Sequence, residues 1–322
     1  METLFSILDF AAKALVVFIT FAGCMMLIAG RMRRPSHEDP SIRIRDVSAR
    51  WRDMREGVRI GLLPMAEQKA ARKLAEAERK KGIAPHKRLF VLDFKGDVLA
   101  SAVEDLREEV TAIAGIAKPD DEVVLRLESP GGAVHSYGLA ASQLGRLRTR
   151  GVRLTIAVDR VAASGGYMMA CVANHVVAAP FAIIGSIGVV APVPNLHRAL
   201  EKLGVDYEDV TAGKYKRTTS LLGPNTAEGK AKLKEQLEET HTLFKDFVKE
   251  MRPSLDIEAV ATGEYWYGTK ALSLGLVDRL VTSDDYLLEG AERARVLEVS
   301  CERRRSPRER ILSLASALMN WV

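Results

Sequence analysis

Cysteine is scarce in this chain of 322 residues, and Cys24, Cys171 and Cys301 are the whole supply. An odd, scattered trio gives neither a disulfide framework nor the paired spacing of a zinc site. Cys24 falls in an apolar run and Cys171 in a core-like helix, where a thiol behaves as a small hydrophobe. No metal or nucleotide motif appears elsewhere, so no cofactor is expected. A strong charge bias is missing too. The net charge of +5 and pI near 9.0 suit an anionic membrane surface as well as nucleic acid and establish neither. What is present is a globular composition, 47% apolar and 28% charged. The length allows a sizeable core in one large or two modest domains.

Residues 14–30 contain no charged side chain, and extending back past Lys13 to Leu8 gives 23 residues. That run is long enough to cross a hydrocarbon layer of about 30 Å. A cleaved leader would put its basic residues first and a small-residue cleavage site last. Here Glu2 and Asp9 come first, and Arg31, Arg33 and Arg34 follow the run. The expectation is an uncleaved N-terminal transmembrane helix over 1–30. The arginines after it place the following body in the cytoplasm by the positive-inside rule.

Residues 31–87 are charge-rich and read as a linker with a helix from Met65 to Lys81, built of strong helix formers. From Arg88 onward apolar strand-like runs alternate with helical periodicity. Strands are expected at 89–94, 121–127, 153–158, 176–179 and 207–210, with an apolar glycine-containing run at 183–190. Helices are expected after 102, at 133–150, at 196–203 and at 226–251. Alternation of this kind argues for an α/β body. The tail is basic over 302–310, and residues 311–322 then place Ile311, Leu314, Leu318 and Val322 on one helical face. That pattern fits an amphipathic segment against a membrane surface or a neighbouring subunit.

The chain is organised around Asp159-Arg-Val-Ala-Ala-Ser-Gly-Gly-Tyr167. Ser164 stands where an apolar strand turns into a helix, with two glycines behind it. A bare backbone and the positive end of a helix both favour an anion forming beside its oxygen. The same serine is equally an ordinary helix N-cap. Upstream, Ser129-Pro-Gly-Gly132 also joins strand to helix, and its glycines let main-chain N–H groups face a substrate. A serine hydroxyl attacks an amide only when a base takes its proton. None of His37, His86, His135, His175, His197 and His241 has neighbours that mark it as that base. Lysine is the other option if burial or nearby cations depress its pKa. Thr211-Ala-Gly-Lys-Tyr-Lys-Arg217 offers Lys214 and Lys216, and it reads also as a basic surface loop.

Four motifs in this order and spacing resemble one family: Glu128-Ser-Pro-Gly-Gly132, Ala162-Ala-Ser-Gly-Gly-Tyr167, Ile184-Gly-Ser-Ile-Gly-Val189 and Ala212-Gly-Lys-Tyr-Lys-Arg217. The family is the signal peptide peptidase A group of bacterial membrane serine proteases, and the SohB branch within it. The resemblance covers residues 88–285 and implies a ClpP/crotonase-like fold of ββα repeats. It implies a Ser–Lys dyad, with Ser164 the nucleophile and Lys216 the general base. It further implies Gly132 and Gly165 as oxyanion N–H donors and Ser186 as the residue orienting the lysine. Arg217 departs from the acidic residue that many members carry there.

By resemblance, the substrates are apolar or signal-peptide-like peptides, the chain forms a ring or dome of copies, and the body faces the periplasm at the inner membrane. That last expectation conflicts with the charge pattern after the anchor. Two other functions fit parts of the pattern. A crotonase-like acyl-CoA enzyme shares the oxyanion turn but needs cleft carboxylates, and Glu128 alone is near. A non-catalytic membrane scaffold has no need of intact Ser164 and Lys216.

Overall fold

The structure is a computed structural model and describes residues 41–81 and 87–302. The expected membrane anchor and the amphipathic tail lie outside those residues. Among the described residues no helix is long and apolar enough to cross a membrane.

The chain forms a mixed α/β fold. Its strands are β1 (Ser41–Asp46), β2 (Arg88–Lys95), β3 (Glu122–Glu128), β4 (Arg153–Val158), β5 (Val161–Ala163), β6 (His175–Ala178), β7 (Ile183–Gly185), β8 (Tyr265–Tyr267), β9 (Arg279–Leu280) and β10 (Arg295–Glu302). Its helices are α1 (Val47–Gly61), α2 (Met65–Lys81), α3 (Val103–Ala114), α4 (Val134–Thr149), α5 (Gly165–Ala170), α6 (His197–Lys202), α7 (Ala227–Met251), α8 (Ile257–Val260), α9 (Gly268–Ser273) and α10 (Ser283–Arg293).

The main sheet has the order β1-β10-β2-β3-β4-β6-β9. Every pairing from β10 through β9 is parallel. Parallel strands need helical crossovers, which cover both faces, so their sequences are apolar almost throughout. On β2, Phe90, Leu92 and Phe94 enter the larger core with side chains of α3, α4, α5 and α7. Leu89 and Val91 alternate onto the other face, where Tyr286 and Leu287 of α10 and Trp51 of α1 pack. A second, smaller sheet has the order β5-β7-β8, with β5 and β7 parallel and β8 antiparallel to β7.

The compact unit runs from Ile42 to Glu302, wider than the 88–285 body and extending into the charge-rich stretch expected to be a linker. β10 pairs with β2 in the register Arg295↔Arg88, and β1 lies beyond β10. The Asp46 carboxylate caps α1 through Ala49 N at 2.9 Å and accepts Arg295 Nε at 2.6 Å. Ser48 Oγ accepts the N–H of Val296 at 3.1 Å. These partners are separated by more than 240 residues in sequence, so local periodicity holds no trace of them.

One local expectation is corrected. Residues 207–210 form no strand: Tyr207 and Asp209 instead bind Arg217 within an irregular segment. The apolar run at 183–190 begins as the strand Ile183–Gly185, and Ser186 at φ 52 then turns the chain out of the sheet.

Candidate active site

β5 delivers Ser164 into a sharp turn. Ser164 has φ 52 and ψ −120, in the left-handed half of φ space that a non-glycine residue enters at a cost of about 1–3 kcal/mol. Its side chain makes no cap hydrogen bond to α5, so capping does not explain the serine. Two backbone bonds hold the turn: Ser164 N–H donates to Gly185 O at 2.8 Å, and Met168 N–H donates to Ser164 O at 3.0 Å. Ser164 is half-buried, and its hydroxyl has no partner among the described residues.

The Ser129–Gly132 turn lies directly against it. Ser129 bridges to Ala162 of β5, with Ser129 N–H donating to Val161 O at 2.8 Å and Ala163 N–H to Ser129 O at 3.0 Å. Gly131 has φ 93, and a Cβ there would lie 2.7 Å from Ser164 Cβ and 2.8 Å from Gly165 N. Only glycine permits both that φ and that approach. The N–H groups of Gly132 and Gly165 have no acceptor among the described residues. Gly132 is exposed and Gly165 buried.

Ser186 arrives at the same place. The β5–β7 register pairs Ala163 with Gly185, so the two strands end together. Ser186 has φ 52, as Ser164 has. Its N–H donates to Glu264 O at 2.7 Å, and its hydroxyl lies 3.4 Å from Gly263 O. Trp266 of β8 packs its ring against Gly185, 2.9 Å from where a Cβ would be.

The lysine loop is different. Lys216 is exposed, and no hydrogen bond or ion pair joins its ammonium to Ser164 or Ser186. The dry niche expected for a general base is not formed around it within the described chain. The segment rides instead on the start of α7, where Lys214 pairs with Glu228 at 2.7 Å. Lys214 also lies 5.1 Å from the Tyr215 ring centroid. The Glu228 hydrogen bond, with that of Tyr215, raises the Lys214 pKa above the ordinary lysine value, so Lys214 holds its proton. The two lysines are thereby distinguished: Lys214 is committed to an ion pair and Lys216 is not.

The structure therefore brings Ser164, Gly132, Gly165 and Ser186 together and leaves Lys216 in solvent. Two further neighbours carry no mark in the sequence. Tyr137 of α4 is fully buried, with its hydroxyl on Ser129 Oγ. His241 of α7 has Nε2 3.3 Å from Ile187 O, the residue after Ser186. Among the described residues no group of three His, Cys, Asp or Glu side chains is placed to hold a metal ion.

Two family models match the chain: Peptidase family S49 over residues 146–297 and Peptidase family S49 N-terminal over residues 2–144. The chain is 58% identical over 218 residues to "Probable protease SohB" of Haemophilus influenzae, covering 68% of this chain and 62% of that protein. It is 30% identical over 205 residues to "Protease 4" of Salmonella typhi, covering 62% of this chain and 31% of that one. The chain thus spans less than two thirds of the length of these relatives. Among solved structures, a mutant of the 1510-N membrane-bound stomatin-specific protease with a substrate peptide matches at 11% identity and TM-score 0.44, covering 73% of this chain and 100% of that one.

Proposed function

Since the chain belongs to peptidase family S49, with the greater likeness to its SohB proteins, we propose that it is a serine endopeptidase of ClpP/crotonase-like fold working through a Ser–Lys dyad. The observation that carries the reading is the backbone of Ser164. It is held at φ 52, performs no capping, and is flanked by two N–H groups with no acceptor among the described residues. Strain of that kind persists where the surroundings over-determine it, and such places are often reactive sites.

Neutral Lys216 takes the proton of Ser164 Oγ as that oxygen bonds to the scissile carbonyl carbon. The resulting oxyanion is held by the N–H groups of Gly132 and Gly165, and losing one such donor typically costs about 3–4 kcal/mol of barrier. Collapse breaks the C–N bond, and the Lys216 ammonium gives its proton to the leaving amine. Water, deprotonated in turn by Lys216, attacks the acyl carbon; the ester C–O bond breaks and the Lys216 ammonium returns its proton to Ser164 Oγ. Ser186 orients the lysine.

A neutral lysine requires burial or neighbouring cations. Because Lys216 is exposed in the single chain, the proposal requires the 204–226 segment to be covered, and assembly of copies into a ring or dome supplies that cover. The substrates are apolar or signal-peptide-like segments at the bacterial inner membrane, with residues 1–30 as anchor and the body on the periplasmic face. A reporter fused after residue 322 separates that face from the cytoplasmic one, which the arginines after the anchor favour.

The test is labelling with a fluorophosphonate probe beside peptide hydrolysis, using detergent-solubilised full chain. Wild type should label and cleave, whereas Ser164→Ala and Lys216→Ala should do neither while remaining folded. Label retained in Ser164→Ala, or wild-type turnover in Lys216→Ala, overturns the assignment.

A further inference from the structure

Behind the Ser129–Gly132 turn lies a run of hydrogen bonds that extends beyond the motif to Tyr137 and Asp97. Tyr137 comes from the first turn of α4, five residues past Gly132. Its ring is fully buried, yet its hydroxyl reaches two partners, Asp97 O at 2.9 Å and Ser129 Oγ at 2.6 Å. Ser129 is likewise fully buried, and its Oγ accepts the N–H of Gly131 at 3.1 Å.

Counting hydrogens fixes the direction. A phenol has one proton, and Tyr137 donates it to Asp97 O. The proton between the two hydroxyls is therefore that of Ser129, which donates to Tyr137 Oη while receiving Gly131 N–H. The chain runs Gly131 N–H to Ser129 O–H to Tyr137 O–H to Asp97 C=O, and Asp97 O also accepts the N–H of Ala100 at 3.0 Å. Bonds in such a line polarise one another. Burial pushes the Tyr137 phenol above its ordinary pKa, so the proton stays on it.

The line meets the oxyanion turn at Gly131, the 97–100 loop and Gly165. Its first donor is the N–H immediately before that of Gly132. Directing Gly131 N–H inward leaves Gly132 N–H as the outward donor. Its last acceptor lies in the 97–100 loop, where Val98 O receives Ala133 N–H at 2.8 Å and the Val98 main chain occupies the space a side chain at Gly132 would need. The Tyr137 ring itself occupies the space that a side chain at Gly165 would need. One side chain thus braces the settings of both proposed oxyanion donors.

We propose that Tyr137, acting through Ser129, is a positioning residue that sets the Gly131–Gly132 peptides and the Gly165 N–H for oxyanion binding. The inference rests on the reaction proposed above, and its test has an arm independent of that reaction. Hydrogen exchange on the full chain reads the bonded line directly. The Gly131 N–H is expected to be protected in wild type and to exchange about tenfold faster or more in Tyr137→Phe, which keeps the ring and drops the hydroxyl. Peptide hydrolysis reads the consequence: kcat falls roughly tenfold to a hundredfold in Tyr137→Phe with KM nearly unchanged. Ser129→Ala does the same, and the double variant loses no more than the worse single one, since both break one line.

Unchanged exchange at Gly131 in Tyr137→Phe overturns the inference whatever the activity. Faster exchange with unchanged kcat also overturns it, leaving Tyr137 a packing residue. Absence of hydrolysis by wild type counts against the proposed peptidase, and the exchange arm then decides the hydroxyl line by itself.

Discussion

Ser164 gives its N–H to the carbonyl of Gly185 across 2.8 Å, and the residues on either side of that bond carry the tension of the turn. Ser164 and Ser186, which leave the parallel strands β5 and β7, share the same φ of 52. A parallel pair that ends in register sends two serines out together, and neither is free to relax without the other strand moving.

Ser164→Ala should abolish fluorophosphonate labelling and lower peptide turnover by about a thousandfold or more. Its melting temperature should stay close to wild type, because the hydroxyl makes no hydrogen bond that stabilises the fold among the described residues. A large loss of stability would mean that the serine is structural.

Gly131→Ala should be worse for the fold than its single methyl suggests. The new Cβ would lie 2.7 Å from Ser164 Cβ, at a residue whose φ is 93. The expected cost is about 1–3 kcal/mol from the backbone alone, with labelling lost as the turn shifts. Denaturant unfolding and probe labelling measure the two effects separately.

Lys214→Ala and Lys216→Ala should differ sharply. Lys214 is held by Glu228 and keeps its proton, so its loss should change turnover by no more than roughly threefold, the scale of an exposed ion pair. Lys216→Ala should remove turnover. Equal effects from both would show that the loop acts through its charge and not through one base.

Glu109 makes stability depend on pH. It is 6% exposed under β10, where Cys301 N–H donates to its Oε1 at 2.8 Å. Burial raises its pKa to about 7, aided by Asp105 and Asp93 and opposed by the Cys301 bond. The folded state thus prefers the protonated acid. Its contribution is full below the unfolded value of 4.5 and is lost as pH rises toward about 7. The loss approaches about 3 kcal/mol at most by the conversion of pKa difference to free energy. Glu109→Gln should flatten that slope, since the amide oxygen still accepts from Cys301 without ionising. Unfolding curves between pH 4.5 and pH 7 measure it, and an unchanged slope in the variant would refute the assignment.

The local chemistry of the site is legible in the amino-acid sequence. The bounds of β2, β3, β4, α4 and α7 follow from hydrophobic runs and turn residues that act over a few positions, and three of the four motifs mark where strands release their glycine turns. Sequence leaves Ser164 as either a cap or a reactive hydroxyl, because both occupy the same strand-to-helix junction. Its φ of 52 and missing cap bond separate them, and dihedral angles are a property of the folded chain.

What the chain order determined by itself was short-range: an α/β alternation, a serine before two glycines, and a lysine pair on a loop. What only folding decided was long-range. It placed β10 beside β2, set Gly131 against Ser164, stretched a hydroxyl line from Asp97 to Gly131 through Tyr137, and left Lys216 facing water. The physical reason is the reach of the forces involved. Backbone preference and side-chain period are written into neighbouring residues, whereas strand pairing, glycine close approach and buried hydrogen bonds join residues whose separation in sequence leaves no local imprint.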